Sequence, residues 1–384
     1  MADRFPRGRA AIVGASTHGI GRCPGVTAVD MAARASLQAL EDAGLTLSDV
    51  DALYTSAPYE SLGGLELAEY LGLQPRVTDS NRTGGSAFEV YVQQAAIALD
   101  AGLIDCALIA YGSNPASNPP GSVGMSRQSV WEAPYRPIAP ASSYALAASR
   151  HMHQYGTTRR QLAEVAVAAR RWAELNPEAA MREPLTIEDV LSARMLSDPL
   201  SVRDSCLFND GAAAVVMTRA DRARDCAKAP VYVLGAASTV THREISSMPD
   251  LTVTGAAVTG PQALGQAGIG LSDIDVVMLY DAFTITPILF LEDLGFCPKG
   301  EGGRFVEDGA IAPGGRLAVN TNGGGLSCVH PGMYGLFLLV EAARQLRGEA
   351  GERQIDRADI ALAHGNGGVL SSQATVILGN AATL

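Results

Sequence analysis

The sequence predicts an α/β fold made of two copies of one unit related by pseudo-twofold symmetry. Residues 36–51, SLQALEDAGLTLSDVD, and 260–275, GPQALGQAGIGLSDID, agree at nine of sixteen positions. Each copy reads as a helix ended by a glycine (Gly44, Gly268), a short Asp-containing turn and an apolar strand, ALYTSA or VVMLYDAF. The echo continues downstream. Asn81-Arg82-Thr83-Gly84-Gly85 precedes a helical run at 87–101 and the strand DCALIAYG, and Asn320-Thr321-Asn322-Gly323-Gly324 precedes one at 333–347 and the strand DIALAHG. Strands such as AAIVG and DCALIAYG are continuously apolar, as in sheets covered on both faces. Two distant copies indicate a duplicated domain; a solenoid needs three or more short repeats.

In chain order, residues 1–230 form the first half and 231–384 the second, with an insertion at about 112–200. The opening strand AAIVGA runs into Gly14-Ala15-Ser16-Thr17-His18-Gly19-Ile20-Gly21, whose glycine spacing fits no dinucleotide fingerprint and is read as a turn. Within the insertion, residues 112–140 hold six prolines (Pro115, Pro119, Pro120, Pro134, Pro137, Pro140) and read as an irregular loop. Residues 158–175 read as an amphipathic helix capped by Thr157. A long loop inside a compact domain points to a lid or ligand loop, with a plain connection as the alternative.

Composition narrows the function classes. Hydrophobic residues make up 47% and charged ones 18% of 384, which excludes a disordered or coiled-coil chain. Lys plus Arg is 29 against 40 Asp plus Glu, a net charge of −11 that disfavours nucleic acid and anionic membranes as partners. The six cysteines (Cys23, Cys106, Cys206, Cys226, Cys297, Cys328) show no CxxC pair and no matching His spacing, so neither a metal site nor a disulfide framework is expected. Reduced thiols fit a cytoplasmic protein. No apolar stretch is long enough for a signal-peptide core or a membrane span.

Several segments carry candidate chemistry. Gly323-Gly324-Gly325-Leu326-Ser327-Cys328-Val329-His330-Pro331-Gly332 combines free backbone N–H groups with a histidine suited to oxyanion donation or proton transfer, or serving only as a loop residue. Cys328 lies two residues before His330, a spacing that fits either a Cys/His pair or plain packing. His364-Gly365-Asn366-Gly367-Gly368 ends a strand at the edge where open α/β sheets bind ligands, and is otherwise a turn. Tyr280 in Tyr280-Asp281-Ala282-Phe283-Thr284 ends the matching strand and is read as acid, base, oxyanion donor or core-edge aromatic. His151 and His153, two apart on a helix, face different ways and do not form a metal pair.

Taken in order, these segments resemble the thiolase superfamily, in particular the sterol-carrier-protein-type thiolases and their lipid-transfer-protein-like relatives. The resemblance runs from AAIVGAS to ATVIL through HMHQYGTTRRQLAEVAV, LTIEDVLSARMLSDPL, NDGAAAVV, YDAFTIT, NTNGGGLSCVHPG and ALAHGNGG. It implies a thiolase fold, five-layered αβαβα, with two similar halves, an inserted loop domain that contacts coenzyme A, and a homodimer. Thiolases carry a nucleophilic Cys in a context like N-x-x-C-G-S-G, which falls here on Asn81-Arg82-Thr83-Gly84-Gly85-Ser86 and so puts Gly84 at the nucleophile position. YDAF matches the NEAF/HDCF motif and gives Tyr280, and the GHP histidine is His330. The late C-x-G cysteine corresponds to Ala363 or His364.

Both reactive cysteines are therefore expected to be absent. A glycine cannot hold an acyl group, whereas retro-aldol cleavage of a 3-hydroxyacyl-CoA needs only a base and an oxyanion hole. The resemblance thus implies Tyr280, His330 and His364 as catalytic candidates, Gly84, Gly85 and Gly367 as the loop around the vacated thiol, and coenzyme A only as part of the substrate. It also permits a small OB-fold partner, as in aldolases of steroid side-chain breakdown. Two other outcomes stay open: an acyltransferase using Cys328 or a partner's thiol, and a silent acyl-CoA or lipid-binding subunit.

Overall fold

The computed structural model describes residues 5–56, 62–118 and 130–384. Strand β1 (Ala10–Gly21) leads to helix α1 (Ala28–Ala43), then β2 (Ala52–Thr55), α2 (Gly63–Leu71), β3 (Val77–Asp79), α3 (Ala87–Asp100) and β4 (Cys106–Ser113). Helices α4 (Ala141–Tyr155), α5 (Arg159–Glu174) and α6 (Ile187–Leu191) and the ribbon β5 (Met195–Ser197) and β6 (Leu200–Ser201) follow. The chain re-enters the main sheet at β7 (Asp210–Arg219), with a short α7 (Ala220–Ala223) behind it. The second copy runs β8 (Val231–Val240), α8 (Ala256–Ala267), β9 (Val276–Leu279), α9 (Ile285–Asp293), α10 (Gly302–Phe305), β10 (Ala318–Val319), α11 (Gly335–Leu346), β11 (Ile360–Gly367) and β12 (Ser372–Gly379).

The duplication is visible in the sheet order, β10-β9-β11-β12-β8-β1-β7-β4-β2-β3. From the centre outward each half repeats one pattern: β8/β12/β11 and β1/β7/β4 pair antiparallel, and the outer β9, β10 and β2, β3 pair parallel. The halves join where Ala11 and Ile12 pair with Tyr232 and Val231. Helices α3 and α11 pack on each other and on strands of both halves, while α1 covers the first half and α8 the second. The result is one large mixed sheet with helices on both sides, the two halves sharing α3 and α11.

Local sequence explains the repeated helices. Thr27 caps α1 by accepting from the Asp30 N–H, and Gly44 at φ +69° ends it, as Gly268 at φ +68° ends α8. Both LSD segments form single 3-10 turns closed by Asp49 or Asp273. Residues 14–21 correct the expected turn: they continue β1. A Cβ on Gly14 would lie 1.9 Å from the Ala39 oxygen, and one on Gly235 of β8 would lie 2.2 Å from the Ala263 oxygen. Both glycines let a helix approach its strand, so close packing and not a turn explains them.

The insertion also departs from expectation in detail. Thr158, not Thr157, caps α5 by accepting from the Gln161 N–H. The Thr157 hydroxyl instead meets Nδ1 of the buried His151, whose Nε2 lies 3.1 Å from Glu292. His153 is exposed, so the two histidines do diverge. Pro119 and Pro120 of the proline-rich loop lie outside the described residues. No described helix is long and apolar enough to cross a membrane.

Candidate active site

Both halves deliver residues to one place. Tyr280 follows β9 directly, its N–H donating to the His364 carbonyl (3.0 Å) and its own carbonyl accepting from the Thr286 hydroxyl (3.0 Å). Its ring lies on the backbone that opens α3, where a Cβ on Gly85 would fall 2.0 Å from Tyr280 Cε2. The phenol oxygen lies 2.9 Å from His330 Nε2 and accepts from the Tyr334 N–H at 3.1 Å. The bond runs either from the phenol to an Nδ1–H imidazole or from Nε2–H to the phenol oxygen, according to the His330 tautomer. Tyr280 and His330, both expected from sequence, are thus one hydrogen-bonded pair.

The glycine cluster builds the mount for His330. Gly323 at φ +100° and Gly324 at φ +66° start a single π-helical turn, Gly324–Cys328, whose Gly325 and Leu326 N–H groups donate to the Asp281 carboxylate at 2.6 and 3.2 Å. A Cβ on Gly324 would lie 2.0 Å from Asp281 Oδ2. The chain then extends at Val329, and the His330 N–H donates to Asn209 Oδ1 (2.8 Å). Cys328 turns the other way, taking a 3.5 Å contact from Asn176 Nδ2. With the thiol on Asn176 and the imidazole on Tyr280, the Cys/His pairing that the spacing allowed does not form, and burial raises the thiol pKa.

Burial sets the protonation states. It pushes His330 down to about 4 and Tyr280 well above the usual phenol value, so at neutral pH both are uncharged. Asp281 is pushed up to about 7 by burial, against the pull of its two backbone donors. Cys206, half-buried beside Ala282, is pushed up to about 12 by burial and the nearby Asp281 and is a thiol, not a thiolate. Among the described residues no cluster of three or more His, Cys, Asp or Glu is placed to hold a metal.

Gly84, at φ +92°, meets the end of β11: a Cβ there would lie 2.8 Å from Gly367 Cα and Gly368 N. A Cβ on Gly367 would in turn lie 1.9 Å from the Thr83 oxygen. The three expected loop glycines, Gly84, Gly85 and Gly367, are therefore packed backbone to backbone or under the Tyr280 ring. His364 joins neither contact. Its Nδ1 lies 2.8 Å from the Thr375 hydroxyl and its Nε2 2.7 Å from Gln373 Oε1, with the ring edge-on to Phe290.

Sequence reasoning missed Tyr334, Asn209, Tyr144 and Glu89. Tyr144 of α4 stacks on Phe283 at 4.6 Å between ring centres, which brings the insertion over the YDAF segment. Glu89, in the first turn of α3, is 1% exposed and neither carboxyl oxygen has a partner. It fills the space left by two glycines, since a Cβ on Gly365 or Gly335 would lie 2.0 or 2.7 Å from its Oε2. Only the conjunction of distant segments reveals these four.

Burial pushes Glu89 up to about 8, so it is protonated in the folded chain at neutral pH but ionised in the unfolded chain. The folded chain then binds the extra proton, and stability falls as pH rises from about 4.5 towards 8. Glu89→Gln is expected to gain about 4 kcal/mol at pH 8 and under about 1 kcal/mol at pH 5. Denaturant melts at both pH values test this; an equal gain at each would remove the carboxyl as the source.

Residues 237–380 match the family "Thiolase C-terminal domain-like". The chain is 37% identical over 374 residues to an acetyl-CoA acetyltransferase of Methanothermobacter thermautotrophicus, covering 93% of this chain and 96% of that protein. The chain belongs to the thiolase superfamily. Within the superfamily it is also 34% identical over 363 residues to a 17-hydroxy-3-oxo-4-pregnene-20-carboxyl-CoA lyase of Mycobacterium tuberculosis, covering 89% and 92% of the two chains. A solved structure described as the Ltp2-ChsH2(DUF35) aldolase superposes with a TM-score of 0.89 at 31% identity, covering 98% of this chain and 99% of that one. The relatives of this thiolase-like enzyme thus include both acyl transfer and carbon–carbon cleavage.

Proposed function

We propose that this enzyme cleaves the C2–C3 bond of a 3-hydroxyacyl-CoA by a retro-aldol reaction without an acyl-cysteine intermediate. The observation that carries the proposal is the packing at Gly84 and Gly85: backbone and the Tyr280 ring fill the space a thiol side chain would need, and a Tyr–His pair stands there instead. The 3-hydroxyl proton passes to the pair, Tyr280 accepting it as its own proton moves towards His330 Nε2. The C2–C3 electrons flow into the thioester as an enolate, a ketone or aldehyde leaves, and the proton returns to C2. Backbone N–H groups around Gly84, Gly85 and Gly367 face the thioester oxygen. Names of relatives support this reaction class, one being a carboxyl-CoA lyase and another an aldolase.

Coenzyme A enters only as part of the substrate, with no tightly bound cofactor. We take residues 1–230 and 231–384 as the two halves, and the working protein as a cytoplasmic homodimer. A small OB-fold, DUF35-type protein is the proposed partner, by analogy with the relative named for both Ltp2 and ChsH2(DUF35). Purified chain, alone and with such a partner, incubated with 3-hydroxyacyl-CoA and 3-oxoacyl-CoA panels tests the reading. A carbonyl product plus a shortened acyl-CoA supports it. Acyl transfer through Cys328, detected as a mass-labelled thiol, or binding without turnover overturns it in favour of an acyltransferase or a silent subunit.

His330→Ala removes the acceptor for the Tyr280 proton and is expected to lower kcat by about a hundredfold. Because His330 must be uncharged to accept, its own titration should leave kcat unchanged around pH 6.5 and lower it only as pH approaches about 4, apart from any step near 7 from Asp281. A midpoint near 6.5 in the kcat profile would remove His330 from the proton path.

A further inference from the structure

An uninterrupted line of side-chain hydrogen bonds starts under the second half of the sheet and ends at the turn facing Gly84. The Thr259 hydroxyl of α8 lies 2.8 Å from that of Thr375 in β12, and Thr375 lies 2.8 Å from His364 Nδ1. His364 Nε2 reaches Gln373 Oε1 at 2.7 Å, and Gln373 Nε2 donates to Asn366 Oδ1 at 2.7 Å. Asn366 Nδ2 donates to the Tyr144 hydroxyl at 2.9 Å, and that hydroxyl donates to the Gly368 carbonyl at 3.2 Å. Every side chain in the line is buried, Tyr144 at 2% exposure, while Gly368 at its end is exposed.

The last acceptor fixes every proton before it. A carbonyl can only accept, so Tyr144 must donate to Gly368 and accept from the Asn366 amide. Asn366 Oδ1 then takes the Gln373 amide proton, which turns Gln373 Oε1 towards His364 and requires the proton on Nε2. Nδ1 is left to accept from Thr375, and Thr375 from Thr259. With the imidazole proton on Nδ1 instead, His364 Nε2 and Gln373 Oε1 would both be acceptors, and the order would hold only if both amides turned over and the Gly368 bond broke. Burial holds His364 down at about 4, which keeps it neutral and able to serve as both donor and acceptor.

We propose that His364, Gln373, Asn366 and Tyr144 are positioning residues that tie the inserted helix α4 to the Gly367–Gly368 turn and hold that turn against Gly84. The inference deepens the lyase reading and rests on it, because the turn supplies part of the thioester-oxygen site there. It gives His364 a role without contact to substrate. Misplaced backbone donors weaken the transition state more than the bound substrate, so loss of the line should appear in kcat and not in KM.

Two variants test it in the whole chain described above: Tyr144→Phe, which keeps the ring on Phe283 and removes only the hydroxyl, and Thr375→Val, on the other side of His364. Amide hydrogen exchange across residues 366–370, kcat and KM on any 3-hydroxyacyl-CoA cleaved, and the His364 ring nitrogen shifts are the readouts. The expected result is faster exchange in that segment for Tyr144→Phe, a kcat loss of about tenfold to a hundredfold with KM within twofold for both variants, and an Nε2–H tautomer in the wild type from pH 6 to 9. Unchanged exchange in folded Tyr144→Phe, a loss confined to KM, or an Nδ1–H tautomer overturns the proposal. A wild-type chain that cleaves no 3-hydroxyacyl-CoA defeats the lyase reading instead, and exchange with the tautomer then decides the line of bonds by itself.

Discussion

Tyr280→Phe is expected to lower kcat for carbon–carbon cleavage by about 10² to 10⁴-fold while the protein stays folded. The ring remains, so the packing over Gly85 and the edge-on contacts with His330 and Tyr334 survive. What disappears is one oxygen that accepts from the Tyr334 N–H and meets His330 Nε2, and that in the proposed mechanism takes the substrate proton as its own moves to Nε2. That N–H is the feature that makes a buried phenol usable, because it stabilises negative charge on the oxygen during transfer even though burial raises the resting pKa. Stability should fall by about 1–3 kcal/mol, since the Tyr334 N–H loses its acceptor in a dry site. The measurement is a single-turnover assay beside a denaturant melt. Cleavage within threefold of wild type in the folded variant would take Tyr280 out of the chemistry and leave His330 without the partner that defines the site.

How much of this was legible in the sequence depends on whether an inference needed one segment or two. The duplicated halves could be read because the caps are local: Gly44 and Gly268 end their helices by the same left-handed turn wherever the helices pack. Tyr280 and His330 stood in motifs, but their 2.9 Å contact crosses fifty residues and appears only once β9 and the π-turn lie side by side. Gly14 was misjudged for the complementary reason: a glycine needed for close helix approach looks like a turn glycine until the Ala39 carbonyl above it is seen. Glu89 and Tyr144 gave no signal at all. A glutamate in an amphipathic run reads as a solvated face, and a tyrosine in the inserted helix reads as core, because the glycines and amides that give them meaning come from the opposite half of the chain.

Gly84→Cys places a thiol at the position proposed as the counterpart of the thiolase nucleophile, and it is expected to produce neither acyl transfer nor a stable protein. The backbone there has φ +92°, a conformation that costs a side-chain-bearing residue about 1–2 kcal/mol. A Cβ would then stand 2.8 Å from Gly367 Cα and Gly368 N, backbone atoms fixed by β11 pairing with β12 and unable to swing aside as a side chain would. Overpacking of that kind adds about 1–3 kcal/mol, so the expected loss is roughly 2–5 kcal/mol in total. Displacing Gly367 also moves the proposed thioester-oxygen donors, so lyase activity should fall by about a hundredfold or more in whatever fraction folds. Gly85→Ala separates the two halves of this reasoning. It adds one methyl, at an ordinary backbone angle, 2.0 Å from Tyr280 Cε2, and should therefore cost activity chiefly by moving the Tyr280 ring. Mass spectrometry after incubation with a 3-oxoacyl-CoA decides the first variant: an acyl group found on the introduced thiol, with shortened acyl-CoA turned over, would mean that this backbone accommodates a covalent nucleophile after all. Its absence in a folded variant would mean that the Gly367–Gly368 backbone, which comes from the other half of the chain, leaves no room at Gly84 for an acylated thiol.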